Sequence, residues 1–175
     1  MTVDLRSYIR EIADFPTPGI MFRDITPLMA DPDALAAAIA GLADHARDLK
    51  PDLVMAAEAR GFLLGAALAR ELGAGFVLAR KPGKLPHDTV RAEYVLEYGT
   101  DALEVHSDAV AAGARVLIHD DLLATGGTAR ALCELTERLG GEVVGCGFLI
   151  ELAFLPGRER LAPYEVHALL RDDAE

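Results

Sequence analysis

The sequence predicts an α/β protein with a central, mainly parallel sheet flanked by helices. Four short apolar runs alternate with amphipathic helical patterns along the chain, and strands that alternate with helices in this way form parallel sheets. Glycine, proline and small polar residues separate the segments, as is typical of the connections between such elements. In sheets of this kind, ligands bind beyond the carboxyl ends of the strands.

The predicted elements follow one another in a simple order. Leu5, Ile9 and Ile12 recur at helical spacing, which predicts a short helix over residues 4–13. Residues 15–19 contain two prolines and a glycine, a stretch that neither a helix nor a central strand tolerates. The remaining predicted elements are strands at 53–57, 76–78, 116–118 and 143–150, and helices at 33–49, 61–72 and 128–139.

The composition fits a single domain, which we expect to span residues 1–175. Hydrophobic residues make up 51% of the chain and the net charge is −11, so a core is available. A general affinity for nucleic acid is disfavoured because phosphate backbones require a basic surface. No apolar run approaches the roughly 20 residues of a membrane-spanning helix. The cysteines, Cys133 and Cys146, lie in apolar surroundings, which is typical of buried thiols in a reducing compartment. We therefore expect a cytoplasmic protein without a membrane or nucleic-acid partner.

The strongest functional signal follows the third apolar run, where two carboxylates precede a loop of small residues and a predicted helix. Two glycines allow a tight turn with amide groups close to an oxyanion, and a helix N-terminus attracts phosphate. The paired carboxylates suit the vicinal hydroxyls of a ribose. The segment predicts a ribose 5-phosphate site that comprises Asp120, Asp121, Ala124, Thr125, Gly126, Gly127 and Thr128.

A structural interpretation of the same segment remains open, with Asp and Thr side chains capping a helix after an ordinary turn. Two better-known phosphate motifs are absent from the sequence. It contains neither G-x-x-x-x-G-K-[ST] nor a G-x-G-x-x-G that follows a strand.

A second anion site is predicted where Glu58-Ala59-Arg60-Gly61 follows the first strand and opens a helix. Backbone amides at the helix start and the forked guanidinium of Arg60 can both bind an oxyanion. The alternative is a surface arginine at a helix start, although such a start does not by itself require Gly61.

A basic segment at 80–99 interrupts an otherwise acidic sequence. It contains Arg80, Lys81, Lys84 and Arg91, with prolines and a glycine between them. We expect this segment to be mobile and to close over a polyanionic ligand, excluding water. The alternative is a charged loop that is simply solvated.

These segments resemble those of the type I phosphoribosyltransferases. Residues 120–128, Asp-Asp-Leu-Leu-Ala-Thr-Gly-Gly-Thr, resemble the family's signature for phosphoribosyl pyrophosphate, in the form found in its adenine-specific members. Residues 15–27, 58–62, 80–86 and 96–99 resemble further segments of that family, so the resemblance runs from about residue 8 to residue 163. His119 departs from the aliphatic residue that usually precedes the acidic pair.

The resemblance implies the type I phosphoribosyltransferase fold, with an N-terminal base-binding hood at 1–30 and a flexible catalytic loop at 80–99. It also implies a homodimer that transfers phosphoribosyl from phosphoribosyl pyrophosphate to adenine in purine salvage, with Mg²⁺, to give AMP and pyrophosphate. The residues that it assigns to pyrophosphate are Glu58, Ala59, Arg60, Gly61, Arg80, Lys81 and Lys84.

The same resemblance assigns the catalytic and base-binding roles. Glu97 is the general base for adenine, and Arg60 is the second catalytic residue. Ala124 stands where members that use 6-oxopurines usually carry Asp, so another acid has to serve the purine. The residues assigned to adenine are Met21, Phe22, Arg23 and Leu152, with Phe22 stacking on the ring and main-chain groups of Met21 and Arg23 reading its edge.

The histidines show no metal-ligand spacing with each other or with the cysteines. We therefore expect Mg²⁺ to be held mainly by substrate oxygens and water. Two alternative functions stay open at this point. One is transfer to another base, such as hypoxanthine, xanthine or orotate. The other is a regulator that binds phosphoribosyl pyrophosphate without chemistry, which would leave Glu97 idle.

Overall fold

The computed structural model describes residues 3–96 and 99–173. Within them the strands are β1 (Arg10–Ala13), β2 (Met21–Asp24), β3 (Leu53–Ala57), β4 (Gly75–Ala79), β5 (Thr89–Leu96), β6 (Gly99–His106), β7 (Arg115–Leu123), β8 (Glu142–Leu152) and β9 (Val166–Asp172). The helices of the same residues are α1 (Thr26–Ala30), α2 (Pro32–Ala46), α3 (Arg60–Leu72), α4 (Gly127–Arg138) and α5 (Gly157–Arg160), with 3-10 turns at Leu5–Tyr8 and Arg47–Leu49. None of these helices has the length and hydropathy to cross a bilayer.

A parallel sheet forms the centre of the described chain, with its five strands in the order β4-β3-β7-β8-β9. Helices α2 and α3 cover one face, where Leu64 and Leu149 share a buried cluster. Helix α4 and the β5–β6 hairpin cover the other face, where Leu103 and Leu132 share a second cluster. The predicted α/β class with a parallel central sheet and flanking helices is therefore confirmed.

Local sequence signals explain where the main helices begin and end. The side chain of Asp31 caps α2 by accepting hydrogen bonds from the amides of Asp33 and Ala34, as short polar side chains do at helix starts. Helix α3 ends at Gly73, whose φ of 69° is left-handed and therefore favours glycine. Both helices agree with their predicted positions to within a few residues.

The helix predicted over residues 4–13 is wrong. A 3-10 turn at Leu5–Tyr8 is followed by β1, which pairs antiparallel with β2 and places Ile12 opposite Phe22. Leu5 and Ile9 do pack against the buried cluster beneath α2. Their spacing therefore arises because both side chains are partly buried there, and it does not indicate a continuous helix. The strand that pairs with β1 is β2, which follows the proline-rich turn at 15–19. The spacing of apolar residues within 4–13 gives no information about that partner.

Two other segments contain more strand than predicted. Strand β7 continues past the acidic pair to Leu123, because β8 pairs with it as far as Glu151. Eight residues of the 80–99 segment form β5, which pairs antiparallel with β6 from Thr89 to Leu96. The sheet also gains β9, an edge strand that was not predicted. The mobility of the 80–99 segment stays a prediction.

His119 is the one fully buried histidine of the described chain. Its Nδ1 donates to the Gly147 carbonyl at 3.0 Å, which leaves Nε2 without a partner within the described residues. Burial lowers the pKa of His119 from 6.5 to about 4, although the hydrogen bond to Gly147 opposes that shift. His119 is thus neutral in the folded protein at physiological pH.

This burial predicts acid sensitivity. Between pH 6.5 and 4 the unfolded chain binds a proton at His119 that the folded chain excludes, so the free energy of unfolding falls as the pH falls. In urea titrations, the loss between pH 7 and pH 4.5 should be smaller by about 2 kcal/mol in His119→Leu than in the wild type. Leu63→Ala supplies the control, because it is an exposed change on α3 that removes no titratable group and should therefore lose as much stability as the wild type. Equal losses in all three proteins would contradict the prediction.

Candidate active site

The loops that follow β3 and β7 meet at the carboxyl edge of the sheet and line two adjoining clefts. One cleft of about 190 Å³ is lined by Arg60 and by all seven residues predicted for ribose 5-phosphate. The second, of about 240 Å³, adds Glu58, Ala59, Lys81 and Tyr94. Because Arg60, Asp120, Asp121 and Thr128 line both, the structure brings the two predicted anion sites side by side.

The loop after β7 has the geometry of an anion-binding turn. Gly126 has a left-handed φ of 80°, and α4 begins at the next residue. Among the described residues no side chain caps α4, so the interpretation of this segment as a capped turn is wrong. The first-turn amides of α4 are left to bind an anion, and Thr125 and Thr128 line the cleft beside them.

Gly157 supports this loop from behind, and sequence reasoning missed it. A Cβ atom on Gly126 would lie 2.8 Å from the Gly157 carbonyl oxygen, so the two backbones pack in direct contact. Arg158 fixes the start of α5 through a forked ion pair with the buried Glu151, at 2.6 and 2.9 Å. The contact between Gly126 and Gly157 joins segments that are far apart in the sequence, and nothing near residue 157 predicts it.

The acidic pair is compact and only partly neutralised. Asp121 is 3% exposed, and its Oδ2 lies 3.1 Å from Nε of Arg60. Burial raises the pKa of Asp120 well above 3.8, and the neighbouring charge of Asp121 raises it further, against the opposing effect of Arg60. The site therefore favours ligands that bring hydrogen-bond donors or positive charge to these carboxylates.

Gly61 has a specific reason to be glycine. A Cβ atom at this position would lie 2.9 Å from Oδ1 of Asp120, so the first turn of α3 can approach the acidic pair only without a side chain there. This close approach explains a residue that a helix start alone does not require. It also places the amides of that turn beside Asp120.

Glu58 connects the loop after β3, which carries Arg60, to the basic residues Arg80 and Lys81. Its carboxylate accepts hydrogen bonds from the Lys81 amide at 2.7 Å and from Nε of Arg80 at 2.9 Å. Burial by itself would raise the pKa of Glu58, but the hydrogen bonds from Lys81 and Arg80 lower it overall. The Glu58–Ala59 peptide is cis. The Glu58 side chain thus holds residues 80 and 81 against the loop after β3.

Lys81 and Lys84 lie in the turn that follows. Nζ of Lys81 forms an ion pair with Asp101 and lies 3.5 Å from the hydroxyl of Tyr94. The Lys84 amide closes the turn by donating to the Lys81 carbonyl at 3.2 Å. Tyr94 was missed because the 80–99 segment was interpreted by its charge, although an aromatic residue among cations is a signal that could have identified it.

Met21, Phe22 and Arg23 of the predicted adenine residues lie on β2, where successive side chains point to opposite faces. Phe22 lies against Arg60, whose guanidinium carbon is 5.0 Å from its ring centroid. Met21 and Arg23 line a separate cleft with Asp172. Leu152 is the last residue of β8 and packs against the cluster beneath α2. The structure thus connects Phe22 to Arg60, whereas a contact between Leu152 and a base stays a prediction.

The general base assigned by resemblance, Glu97, lies outside the described residues. Across residues 3–96 and 99–173, no group of three or more His, Cys, Asp or Glu side chains could hold a metal ion. Asp120 and Asp121 contribute the carboxylates that line both clefts.

Comparison with known proteins identifies the family. The sequence model of the phosphoribosyl transferase domain matches residues 28–167. An adenine phosphoribosyltransferase of Rubrobacter xylanophilus is 59% identical over 95% of this chain and 90% of its own length.

Solved structures agree with the sequence relatives. The crystal structure of adenine phosphoribosyltransferase from Thermoanaerobacter pseudethanolicus is 54% identical and superposes with a TM-score of 0.95, over 97% of this chain and 98% of the other. The Saccharomyces cerevisiae enzyme, in complex with adenine and an imino-altritol bisphosphate, is 39% identical with a TM-score of 0.92, over 95% of this chain and 97% of the other. The chain therefore belongs to the phosphoribosyltransferase family, in the branch whose named relatives are adenine phosphoribosyltransferases.

Proposed function

We propose that this protein transfers the phosphoribosyl group of phosphoribosyl pyrophosphate to adenine, giving AMP and pyrophosphate. The observation that carries the proposal is the position of Arg60. It lies at the start of α3, pairs with Asp121 at 3.1 Å and covers the ring of Phe22 at 5.0 Å. One side chain therefore contacts elements of the pyrophosphate, ribose and base sites. The adenine bound to the Saccharomyces cerevisiae relative supports the choice of base.

The reaction replaces one bond at the anomeric carbon of ribose by another. The bond from that carbon to pyrophosphate breaks, a bond to N9 of adenine forms, and the adenine proton passes to a base. Positive charge develops on the ribose as pyrophosphate leaves. In this proposal the loop 124–128 and the N-terminus of α4 hold the 5′-phosphate, while Asp120 and Asp121 accept hydrogen bonds from the ribose hydroxyls.

Arg60 and the first turn of α3 receive the leaving group. A guanidinium carries five N–H donors in a fixed fork, so Arg60 can contact pyrophosphate and keep its ion pair with Asp121. Arg80 and Lys81 add positive charge at the same edge, where Glu58 holds their backbone and side chain in place. Charge-assisted hydrogen bonds of this kind stabilise a developing anion.

In this proposal, adenine recognition depends on β2 and on the absence of a carboxylate from loop 124–128. Phe22 offers an aromatic face on which a purine can stack, a contact worth about 1–3 kcal/mol in single-strand binders. Ala124 supplies no carboxylate for a 6-oxopurine. The proton of the base therefore goes to Glu97, which the family resemblance places near the purine nitrogens.

Mg²⁺ is part of the proposal, and the donor set fits it. Magnesium binds through one or two carboxylates together with phosphate oxygens and water, and the raised pKa of Asp120 marks a carboxyl group that lacks compensating charge. Oxygens of the donor and water would supply most ligands of the ion, and Asp120 and Asp121 are the carboxylates that would complete its coordination. When bound, the ion neutralises charge on the departing pyrophosphate.

The biological setting is likewise proposed, as purine salvage by a cytoplasmic homodimer. Cys133 and Cys146 are both buried in the cluster beneath α4, which is usual for the thiols of a protein in a reducing compartment. The homodimer is proposed from the family resemblance alone.

A panel of bases tests the proposed substrate directly. With phosphoribosyl pyrophosphate and Mg²⁺, kcat/KM for adenine should exceed that for hypoxanthine, xanthine and orotate by about 100-fold or more, because pocket polar groups left unpaired by a wrong base are costly. Product formation is measured by chromatography. Faster turnover of hypoxanthine would refute the substrate, whereas donor binding without turnover of any base would indicate a regulator.

The acidic pair should control donor use. Asp121→Asn and Asp120→Asn should each raise KM for phosphoribosyl pyrophosphate or lower kcat by about tenfold or more, since each removes a charged hydrogen-bond acceptor. Asp121→Asn should be the more severe because it also unpairs Arg60. Asp44→Asn, an exposed change on α2, serves as the control in steady-state assays. If the acidic-pair variants matched this control, the ribose site would have to lie elsewhere.

The role of Glu97 is tested by an isosteric change. Glu97→Gln should lower kcat by about 100-fold, a typical effect of losing a general base, while KM for adenine changes much less. The control is Glu93→Gln, because Glu93 is exposed on β5 and pairs only with Arg91 in the described structure. A variant with normal kcat and a raised KM would instead assign Glu97 to binding.

A further inference from the structure

Asp172, the last residue of β9, accepts charged hydrogen bonds from two distant arginines. Its Oδ2 accepts from Nε of Arg23 at 2.7 Å, and its Oδ1 accepts from Nη1 of Arg6 at 2.5 Å. Its side chain and that of Arg23 are only 9% and 7% exposed. Two charged groups with so little access to water are stable together only when they remain paired.

The hydrogen bonds continue into the backbone on both sides of this carboxylate. Nη1 of Arg23 donates to the Met21 carbonyl at 3.1 Å, and Nη2 of Arg6 donates to the Arg171 carbonyl at 2.7 Å. Burial alone would raise the pKa of Asp172, but the hydrogen bonds from Arg6 and Arg23 lower it overall. The carboxylate is therefore ionised and connects the end of β9 to the main chain of β2.

The β1–β2 hairpin needs such a connection because it forms a sheet of its own. In the described chain it pairs over four residues of each strand, and neither strand pairs with a strand of the five-stranded sheet. An isolated two-stranded hairpin is marginally stable in water. Side-chain contacts therefore have to fix its position relative to the sheet, and the ion pair of Arg23 with Asp172 is one that is nearly inaccessible to water.

We propose that Asp172 is a positioning residue for the base. Its ion pair with Arg23 sets the place of β2, and thereby of Phe22, above the carboxyl edge of the sheet. The inference rests on the proposed function, since it assumes that Phe22 and the edge of β2 bind adenine. We call this ion pair the tether. Because the tether occupies the Arg23 side chain, only the main chain of Arg23 is left to bind the purine edge.

The position of the tether predicts which kinetic constant it affects. The donor site is built on β3, β7, α3 and α4, which the core sheet holds independently of the hairpin. A displaced hairpin misplaces the base, whereas the donor loops keep the sheet contacts that position them, and Arg60 keeps its ion pair with Asp121 even where it loses its contact with Phe22. Loss of the tether should therefore weaken adenine binding selectively, which a general loss of folding would not do.

The experiment compares Asp172→Asn with Asp173→Asn in the full chain. Asp173 is the matched control, because it is 73% exposed and pairs with Arg171 at the surface. Asp172→Asn should raise KM for adenine about tenfold, the effect of one lost charged hydrogen bond, with KM for phosphoribosyl pyrophosphate and kcat within about twofold of the wild type. Asp173→Asn should leave all three constants unchanged.

Hydrogen exchange supplies a readout that does not depend on activity. In Asp172→Asn, amides of residues 10–24 should exchange faster, while those of β7 and β8 keep the protection of the wild type. Unchanged exchange at 10–24 would refute the proposed role of Asp172. A parallel rise in both KM values, together with faster exchange throughout the chain, would refute it as well. If the wild type itself used no adenine, the proposed function would fail, and the exchange data would still decide whether Asp172 holds the hairpin.

Discussion

The arrangement of the site depends on holding two adjacent carboxylates near the end of β7. Asp121 is almost completely buried and Asp120 lies against the first turn of α3, so their mutual repulsion has to be offset locally. Arg60 offsets part of it through its contact with Asp121. The negative charge that Arg60 does not compensate favours ligands that bring hydrogen-bond donors or cations. The hydroxyls of phosphoribosyl pyrophosphate and a metal bound to it can supply both. Gly61 permits this arrangement because any side chain there would collide with Asp120.

The loops around the carboxylates are held by contacts between backbones and by buried ion pairs. Gly126 packs on the Gly157 backbone, and the Glu151–Arg158 pair fixes the helix behind it. Glu58 gives the other side of the site the same support by binding Arg80 and the Lys81 amide. Preorganised donors cost no reorganisation when an anion arrives, so in the proposed function these supports favour binding of the phosphoribosyl donor.

The sequence predicts the parts of the molecule whose causes are local. Strand β7, its acidic pair and the glycine turn lie in one stretch of 13 residues, and the structure keeps them together. Strand β9 and the β1–β2 hairpin were missed because their pairing depends on segments outside the one whose pattern was interpreted. The same reason hides Gly157 and Asp172, whose roles come from Gly126 and Arg23. Residues 4–13 misled because Leu5 and Ile9 are apolar for packing beneath α2 and not for a helix.

The two halves of the site differ in how they are fixed, and this difference has a chemical consequence. The donor loops grow from adjacent strands of the parallel sheet, so every hydrogen bond of the sheet helps to position them. In the proposed function, the base-binding strand β2 belongs to a small hairpin that the buried Arg23–Asp172 ion pair links to the sheet. In a site built in this way, changes in the hairpin alter the base site while the strands that carry the donor loops keep their pairing. Specificity and the donor chemistry therefore depend on separate strands, which meet where Arg60 lies over the ring of Phe22.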